Sequence, residues 1–131
     1  FFFFFLLLFT SRRTTSFLIV ALLIGIALLR FKEKVLSDPH GGLFDWIDEA
    51  GVGTPCSWNG VECSSAGHVV VLDLKDLGME GTVAADIGKL IHIKSLTLCN
   101  NSFSGAIPDE IRNLGALELL DLRNNNFSGR F

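Results

Sequence analysis

Hydrophobic positions in the last third of the chain recur with a fixed period of 24 residues. Each position of one set has a counterpart of the same or a similar type one period later. The first set is Leu90, Ile93, Leu96, Leu98, Asn101, Phe103 and Gly105, and the second is Leu114, Leu117, Leu120, Leu122, Asn125, Phe127 and Gly129. The same step backwards gives a weaker copy at Val69, Leu72, Leu74, Met79 and Gly81. Such self-similarity indicates stacked units, because one unit alone cannot bury its hydrophobic side.

The order of residue types within each unit predicts a short strand followed by a turn. Leu96 and Leu98 alternate as strand residues do, which places both on the inward face. Asn101 follows at the turn, where its amide can donate and accept hydrogen bonds for backbone groups exposed by the bend. Phe103 fills the core below, and a glycine two residues later permits a second bend. Stacked units therefore predict a parallel sheet with an asparagine ladder, Asn101 and Asn125, beside it.

The spacing L-x-x-L-x-L-x-x-N resembles the leucine-rich repeat, whose units are about 20–29 residues long. That resemblance implies an α/β solenoid, a right-handed superhelix in which each coil adds one strand to a parallel sheet. The repeats would cover residues 69–131, with Val69–Leu74 as the first strand. At the period of the repeat this amounts to about two and a half units.

Two apolar runs, Phe1–Phe9 and Phe17–Leu29, precede the repeats, with Arg12 and Arg13 between them. Neither run alone reaches the ~20 apolar residues that span a bilayer as a helix. A basic pair followed by a short apolar stretch resembles the start of a secretory signal. We therefore assign residues 1–24 to a signal peptide or membrane-targeting segment. An uncleaved membrane anchor and a mis-assembled or truncated start are the alternatives.

The next segment predicts a helical cap before the repeats. An amphipathic helix is expected over Ala27–Leu36, because its apolar residues share one face. That face is formed by Leu28, Phe31, Val35 and Leu36. Ser37-Asp38-Pro39 ends the helix, since the residue before a proline resists the helical conformation. Leu43–Glu49 is apolar enough for a short helix or a helical turn, and Ala50–Pro55 is a loop.

Cys56 and Cys63 enclose a short loop, and cysteines at this spacing suit a disulfide. In the chain-entropy model the bond stabilises the fold by about 2–3 kcal/mol. The alternative is two free thiols. A lone pair lacks the four ligands of a structural zinc site, so the sequence predicts no metal. Cys99 is the third cysteine, either an idle small residue or a reactive or intermolecular thiol.

Length and charge limit the function further. The 131 residues allow one domain plus a targeting segment. The net charge of −3 divides into +4 over residues 1–37 (five basic, one acidic) and −7 over residues 38–131 (six basic, thirteen acidic). An acidic body does not attract a phosphate backbone, which argues against nucleic acid as a partner. No nucleophile, base and orienting group cluster, so the sequence predicts neither catalysis nor a cofactor.

The amino-acid sequence of the cap resembles that of one family in particular. The segments that carry the resemblance are Ala27–Lys32, Ser37–Pro39, Gly42, Trp46, Cys56–Cys63 and Val69–Leu74. They resemble the plant-type N-terminal cap of leucine-rich repeat receptor-like kinases, which would occupy residues 25–68. The run Phe103–Pro108, FSGAIP, resembles the plant subclass of the repeat. Within this family the cap and first repeats are similar to the male-discoverer group.

The resemblance implies an extracellular ectodomain, one transmembrane helix and a cytoplasmic kinase or pseudokinase. The sequence contains no glycine-rich phosphate loop, V-A-I-K lysine, H-R-D loop or D-F-G. No hydrophobic span follows the repeats, and no C-terminal cap closes them. We therefore expect a fragment of a longer receptor, with any kinase activity in residues outside this sequence.

Side chains that alternate with the inward leucines would face the concave surface, where solenoids hold ligands. They are Asp73, Lys75, Ser95, Thr97, Cys99, Leu119, Asp121 and Arg123. The alternative is a solvated sheet face with no partner. Asn100 and Asn126 each begin an N-x-[ST] pattern and are candidate glycosylation sites in a secreted chain. His40, His68 and His92 lie far apart in the sequence, which favours structural or surface roles.

Together these features predict an extracellular recognition module, at the plasma membrane or secreted. The expected partners are a protein or peptide ligand and a co-receptor. Membrane attachment would come from the N-terminal apolar segment or from a transmembrane helix outside the sequence. An alternative is a secreted leucine-rich repeat protein, such as an inhibitor of a cell-wall enzyme.

Overall fold

The structure, a computed structural model, describes residues 12–48 and 55–129. Its helix α1 and eight strands are α1 Arg12–Glu33, β1 Val35–Ser37, β2 Val61–Cys63, β3 Val69–Asp73, β4 Glu80–Thr82, β5 Ser95–Thr97, β6 Ser102–Ala106, β7 Leu119–Asp121 and β8 Asn126–Ser128. Short 3₁₀ helices lie at Pro55–Ser57, Ala85–Lys89 and Asp109–Asn113. The predicted apolar run Phe1–Phe9 lies outside the described residues.

Strands from successive coils form two sheets. Sheet 1 has the order β2-β3-β5-β7, and sheet 2 has the order β1-β4-β6-β8. The repeat strands within each sheet are parallel, and in sheet 1 Leu72 pairs with Leu96 and Leu96 with Leu120. Those partners are 24 residues apart, which is the period of the sequence. In sheet 2 the partners are 22 residues apart, as with Ser104 and Asn126.

The cap supplies the first strand of both sheets. Strand β2 pairs antiparallel with β3, and β1 pairs antiparallel with β4. The first coil therefore presents no open strand edge toward the cap, where an exposed edge would invite pairing with another chain. Cys56 and Cys63 form the expected disulfide, with Cα atoms 5.4 Å apart, and it ties the Pro55–Ser57 helix to β2.

Helix α1 ends at Glu33, three residues before the predicted end, and the chain continues as β1. The prediction was wrong there because β4 has an open edge, which the backbone of β1 satisfies. The Thr82 N–H donates to the Lys34 carbonyl at 3.1 Å. Gly81 permits this approach, since an added Cβ would lie 2.2 Å from the same carbonyl oxygen. Leu36, which the helical pattern assigned to the buried face, is 84% exposed.

The predicted segment Leu43–Glu49 begins with hydrogen-bonded turns. The Trp46 N–H donates to the Leu43 carbonyl at 3.1 Å. The Asp38 carboxylate accepts from the backbone N–H groups of Gly42 at 2.8 Å and Leu43 at 2.9 Å. Of the two forms expected here, the described residues adopt the helical turn rather than a short helix.

Aromatic side chains connect the cap to the repeats through the core. The Trp46 ring stacks on Trp58 with 5.5 Å between centroids and lies 6.2 Å from the ring of Phe31. Phe31 lies 6.0 Å from Phe103, which stacks on Phe127 at 6.4 Å. Aromatic pairs at such separations contribute about 0.5–1.5 kcal/mol each beyond the area they bury. Phe31 therefore holds α1 against the cap and the repeats at once.

Burial of each coil depends on its neighbours. Leu74 and Leu98 are 0% exposed, whereas the equivalent Leu122 is only partly buried. The coil of Leu98 has a described coil on both sides, and the coil of Leu122 has one on a single side. The difference is the burial that one stacked neighbour adds.

Asn101 occupies the turn between β5 and β6 and is buried there. Its Oδ1 accepts from the backbone N–H groups of Leu77 at 3.2 Å and Met79 at 2.9 Å. Its Nδ2 donates to the carbonyls of Leu74 at 2.8 Å and Leu98 at 3.0 Å. It also donates to the Cys99 carbonyl at 3.2 Å, so one side chain pairs five backbone groups, three of them on the preceding coil.

Asn125 makes the same kind of contact one coil later. Its Oδ1 accepts from the Phe103 N–H at 3.0 Å, and its Nδ2 donates to the Leu98 carbonyl at 2.8 Å and the Leu122 carbonyl at 3.1 Å. This asparagine is only partly buried, so water has access to its partners.

Helix α1 runs without a break through the predicted boundary between residues 24 and 25. None of the helices in the described part of the chain has both the length and the apolar character needed to cross a bilayer. The assignment of residues 1–24 to targeting and of residues 25–68 to the cap stays a prediction.

Replacing Asn101 with Ala is expected to lower the free energy of unfolding by about 1–3 kcal/mol, because the backbone N–H groups of Leu77 and Met79 lose the amide oxygen to which they donate. The urea midpoint of the full chain measures the change. Asn125→Ala is the matched comparison and should cost less, since its backbone partners can bind water instead. Equal midpoints for Asn101→Ala and the unsubstituted chain would contradict the role of this amide.

Removing the disulfide with the double change Cys56→Ser and Cys63→Ser should destabilise the chain by about 2–3 kcal/mol, because the unfolded chain regains the freedom of the closed loop. Urea unfolding reports this difference. Cys99→Ala is the control, because it removes a thiol without removing a cross-link. The expectation fails if the double variant unfolds at the same urea concentration as the control.

Candidate ligand-binding face

The inward leucines of β3, β5 and β7 leave the alternate residues of these strands on the outer side of sheet 1. Together with the residues that follow each strand, this outer side carries, coil by coil, Asp73 and Lys75; Ser95, Thr97 and Cys99; and Leu119, Asp121 and Arg123. The register aligns Asp73 with Thr97 and Thr97 with Asp121. We call these eight residues the outer face of sheet 1. The structure thus brings the predicted contact residues together.

Two ion pairs flank the central coil of this face. The Lys75 Nζ lies 3.3 Å from the Asp73 Oδ2. Arg123 binds Asp121 through two bonds, from Nε to Oδ1 and from Nη2 to Oδ2, each 2.9 Å long. Each pair joins residues of the same coil, so each outer coil neutralises its own charge. Exposed ion pairs of this kind contribute little to stability, because water screens both partners.

The pairing also fixes the charge states. The hydrogen bonds from Arg123 hold the pKa of the Asp121 carboxyl well below its usual range. The hydrogen bond to Asp73 raises the pKa of the Lys75 ammonium. The Asp121 carboxylate and the Lys75 ammonium therefore stay ionised near neutral pH. A binding partner therefore contacts two ion pairs whose charges cancel, instead of a surface that carries charge of one sign.

The central coil carries small uncharged side chains, and two of them are almost covered. Thr97 is 9% exposed and Cys99 is 7% exposed, although both were expected on an open surface. The register places Thr97 between Asp73 and Asp121, and the Cys99 thiol interacts with the Asp121 carboxylate. Burial raises the pKa of the Cys99 thiol, which keeps it protonated and disfavours a reactive role. The middle of the face is therefore a shallow depression.

Ser95 and Leu119 lie side by side at one end of the face. Their residues pair across β5 and β7. Ser95 is half-buried, and the Leu119 side chain is 53% exposed. A large exposed apolar side chain beside a small hydroxyl offers a contact point for an apolar group of a partner.

Sequence reasoning missed a second ladder at the exposed turn after sheet 1. Asp76, Asn100 and Asn124 share a positive φ of 58°, 57° and 56°. The Asn100 Nδ2 donates to the Asp76 Oδ1 at 2.6 Å, and the Asn124 Nδ2 donates to the Asn100 Oδ1 at 2.6 Å. The three residues are one period apart, so the repeat itself is the signal that predicts the contact.

The same period explains a histidine pair that looked remote in the sequence. The rings of His68 and His92 lie 3.9 Å apart between centroids, and the two residues are 24 positions apart. The Nδ1 atom of His68 is buried without a hydrogen-bond partner. Among the described residues no three or more His, Cys, Asp or Glu side chains form a group able to hold a metal.

Comparison with known proteins places these features in a family. The leucine-rich repeat N-terminal domain matches residues 25–64, and the leucine-rich repeat matches residues 92–114 and 116–131. The chain is 43% identical to Protein MALE DISCOVERER 2 of Arabidopsis thaliana over 79 residues, which is 60% of this chain and 11% of that protein. The chain therefore spans about a tenth of the length of that relative.

Solved plant structures share the fold. A chain of the BIR3–SERK2 complex from Arabidopsis thaliana superposes with a TM-score of 0.70 and 27% identity, covering 80% of this chain and 57% of that one. The structure of the Arabidopsis receptor kinase HAESA in complex with the peptide hormone IDA and the co-receptor SERK1 matches with a TM-score of 0.57 and 26% identity, covering 79% of this chain and 21% of that one. The predicted solenoid is confirmed. The chain belongs to the leucine-rich repeat proteins with a leucine-rich repeat N-terminal domain, and it is similar to the ectodomains of plant leucine-rich repeat receptor kinases.

Proposed function

We propose that the chain is part of the extracellular recognition module of a plant leucine-rich repeat receptor kinase. It contributes to binding a peptide or a co-receptor and carries out no chemistry itself. The observation that carries this proposal is the outer face of sheet 1, where three coils hold side chains of different character in register. The HAESA structure, with a peptide hormone and a co-receptor bound, supports the choice of partner class.

The chemistry of the face favours recognition by shape and hydrogen bonding. Its charges are paired within each outer coil, so long-range attraction contributes little to association. The exposed Leu119 supplies an apolar contact, and the half-buried Ser95 supplies a hydroxyl beside it. An extended peptide or a flat protein surface matches such a shallow face better than a compact small molecule, which binds in deep pockets.

Two features of the cap and its helix support an extracellular location. The Cys56–Cys63 disulfide persists in oxidising compartments. Helix α1 leaves apolar side chains exposed before the cap, among them Ile19, Leu22 and Leu23. An exposed apolar segment next to a basic pair fits a targeting or membrane-attached start. The surplus of acidic residues after position 37 does not favour nucleic acid.

The full-length transcript tests the receptor assignment directly. We expect further repeats after Phe131, then about 20 apolar residues that cross the membrane. A kinase or pseudokinase region should follow them, since relatives of this chain include a BRI1-like serine/threonine-protein kinase and a probable leucine-rich repeat receptor-like serine/threonine-protein kinase. Sequencing the transcript gives the answer. A stop codon after a few more repeats would instead favour a secreted protein, such as an inhibitor of a cell-wall enzyme.

A matched pair of substitutions tests the binding face. Ser95→Arg places a long charged side chain on the outer face of sheet 1, and Ser104→Arg places it on the outer side of sheet 2. We expect Ser95→Arg to weaken binding to the SERK1 ectodomain at least about tenfold, which corresponds to about 1.4 kcal/mol. Ser104→Arg should leave the affinity unchanged.

Biolayer interferometry with immobilised SERK1 ectodomain measures both variants. Circular dichroism confirms that each variant keeps its fold. Equal loss of affinity in the two variants would contradict the assignment of the partner to sheet 1. Failure of the unsubstituted chain to bind would remove this co-receptor from the partners.

A further inference from the structure

The two N-x-[ST] sites of the chain have different surroundings, although the sequence makes them equivalent. We propose that Asn126 is the residue that carries an N-linked glycan and that Asn100 is kept free of sugar as a member of the exposed ladder. The glycan would then mark the outer side of sheet 2 as the side turned away from partners. This inference rests on the proposed extracellular function, because the modification requires the secretory route.

Asn126 presents its side chain outward from strand β8. In β8, Phe127 packs toward the core, and the residues on either side of it, Asn126 and Ser128, are exposed. Residues two apart in a strand lie on the same side, so the acceptor amide and the sequon hydroxyl share one open surface. The Asn126 amide makes no hydrogen bond to the described residues, so a sugar there breaks no contact.

The surface around Asn126 is also free of bulky side chains. Pairing places Asn126 beside Ser104, and Ser104 beside Thr82. Ser128 lies beside Ala106 in the next row. All four of these neighbours are small, and all are exposed. The first sugars therefore have room to lie over sheet 2 without displacing a side chain.

Asn100 has its amide engaged on both sides. Its Nδ2 donates to Asp76 and its Oδ1 accepts from Asn124, each at 2.6 Å. A sugar on Nδ2 replaces one amide hydrogen and lies on the same side of the amide as the oxygen. It therefore crowds the Asn124 side chain that binds this oxygen. The left-handed backbone at Asn100, with φ of 57°, holds the side chain in this position.

Glycosylation at Asn126 separates the two surfaces of the solenoid. The glycan covers the outer side of sheet 2, which is built from β4, β6 and β8. The outer face of sheet 1 lies on the other strand of each coil and stays open. A partner would thus be confined to sheet 1 by the sugar as well as by the chemistry of the face.

The test compares two hydroxyl deletions in the full chain, Ser128→Ala and Ser102→Ala, each of which removes one sequon while leaving its asparagine. The chain is produced in plant cells in two forms, one with its own start and one behind an added secretion leader. A folded tag after Phe131 keeps both sequons away from the chain end. Digestion with a peptide N-glycosidase in H₂¹⁸O, followed by peptide mass spectrometry, marks each glycosylated asparagine as labelled aspartate.

In the leader form we expect label at Asn126 alone, complete loss of the glycan in Ser128→Ala and full retention in Ser102→Ala. Label at Asn100, loss of the glycan in Ser102→Ala, or a secreted chain without sugar would each overturn the proposal. The form with its own start reports on the proposed function separately. Absence of glycan in that form, with label at Asn126 in the leader form, would contradict the targeting role of residues 1–24, on which the proposed extracellular location rests, and leave the site assignment standing.

Discussion

The side-chain amide of Asn101 sits at the bend where the chain leaves one sheet for the other, and the stack depends on it. A bend of this kind leaves backbone N–H and C=O groups without partners inside the protein, which is costly in a dry core. The amide pairs five such groups and joins two coils through them. Asn125 repeats the arrangement one coil later, so an asparagine side chain joins each of these coils to the one before it.

The cap covers the open end of the stack of coils. It adds an antiparallel strand to each sheet, so the first repeat strands, β3 and β4, have a partner on both sides. The aromatic series from Trp58 through Trp46 and Phe31 to Phe103 carries packing from the disulfide-closed segment into the repeats. The cap and the first coil therefore share one core.

The outer surfaces of the two sheets carry different kinds of side chain. Sheet 1 carries paired charges, a shallow centre of small side chains and the exposed Leu119, which together suit a partner recognised by shape. Sheet 2 carries small polar side chains around the exposed Asn126. Both surfaces come from the same repeat, because each coil contributes one strand to each sheet. The similarity to plant receptor ectodomains agrees with this division.

Periodicity alone determined the solenoid, the inward leucines, the asparagine positions and the rows of the outer face, because a fixed repeat places equivalent residues above one another. It would equally have predicted the contact of His68 with His92. Tertiary structure decided the rest. The chain after Glu33 became a strand because β4 offered an open edge, and Thr97 and Cys99 are almost covered in the central coil of the face. Such outcomes depend on which distant segment pairs with a strand edge or packs over a surface. A local sequence pattern contains no information about those distant segments.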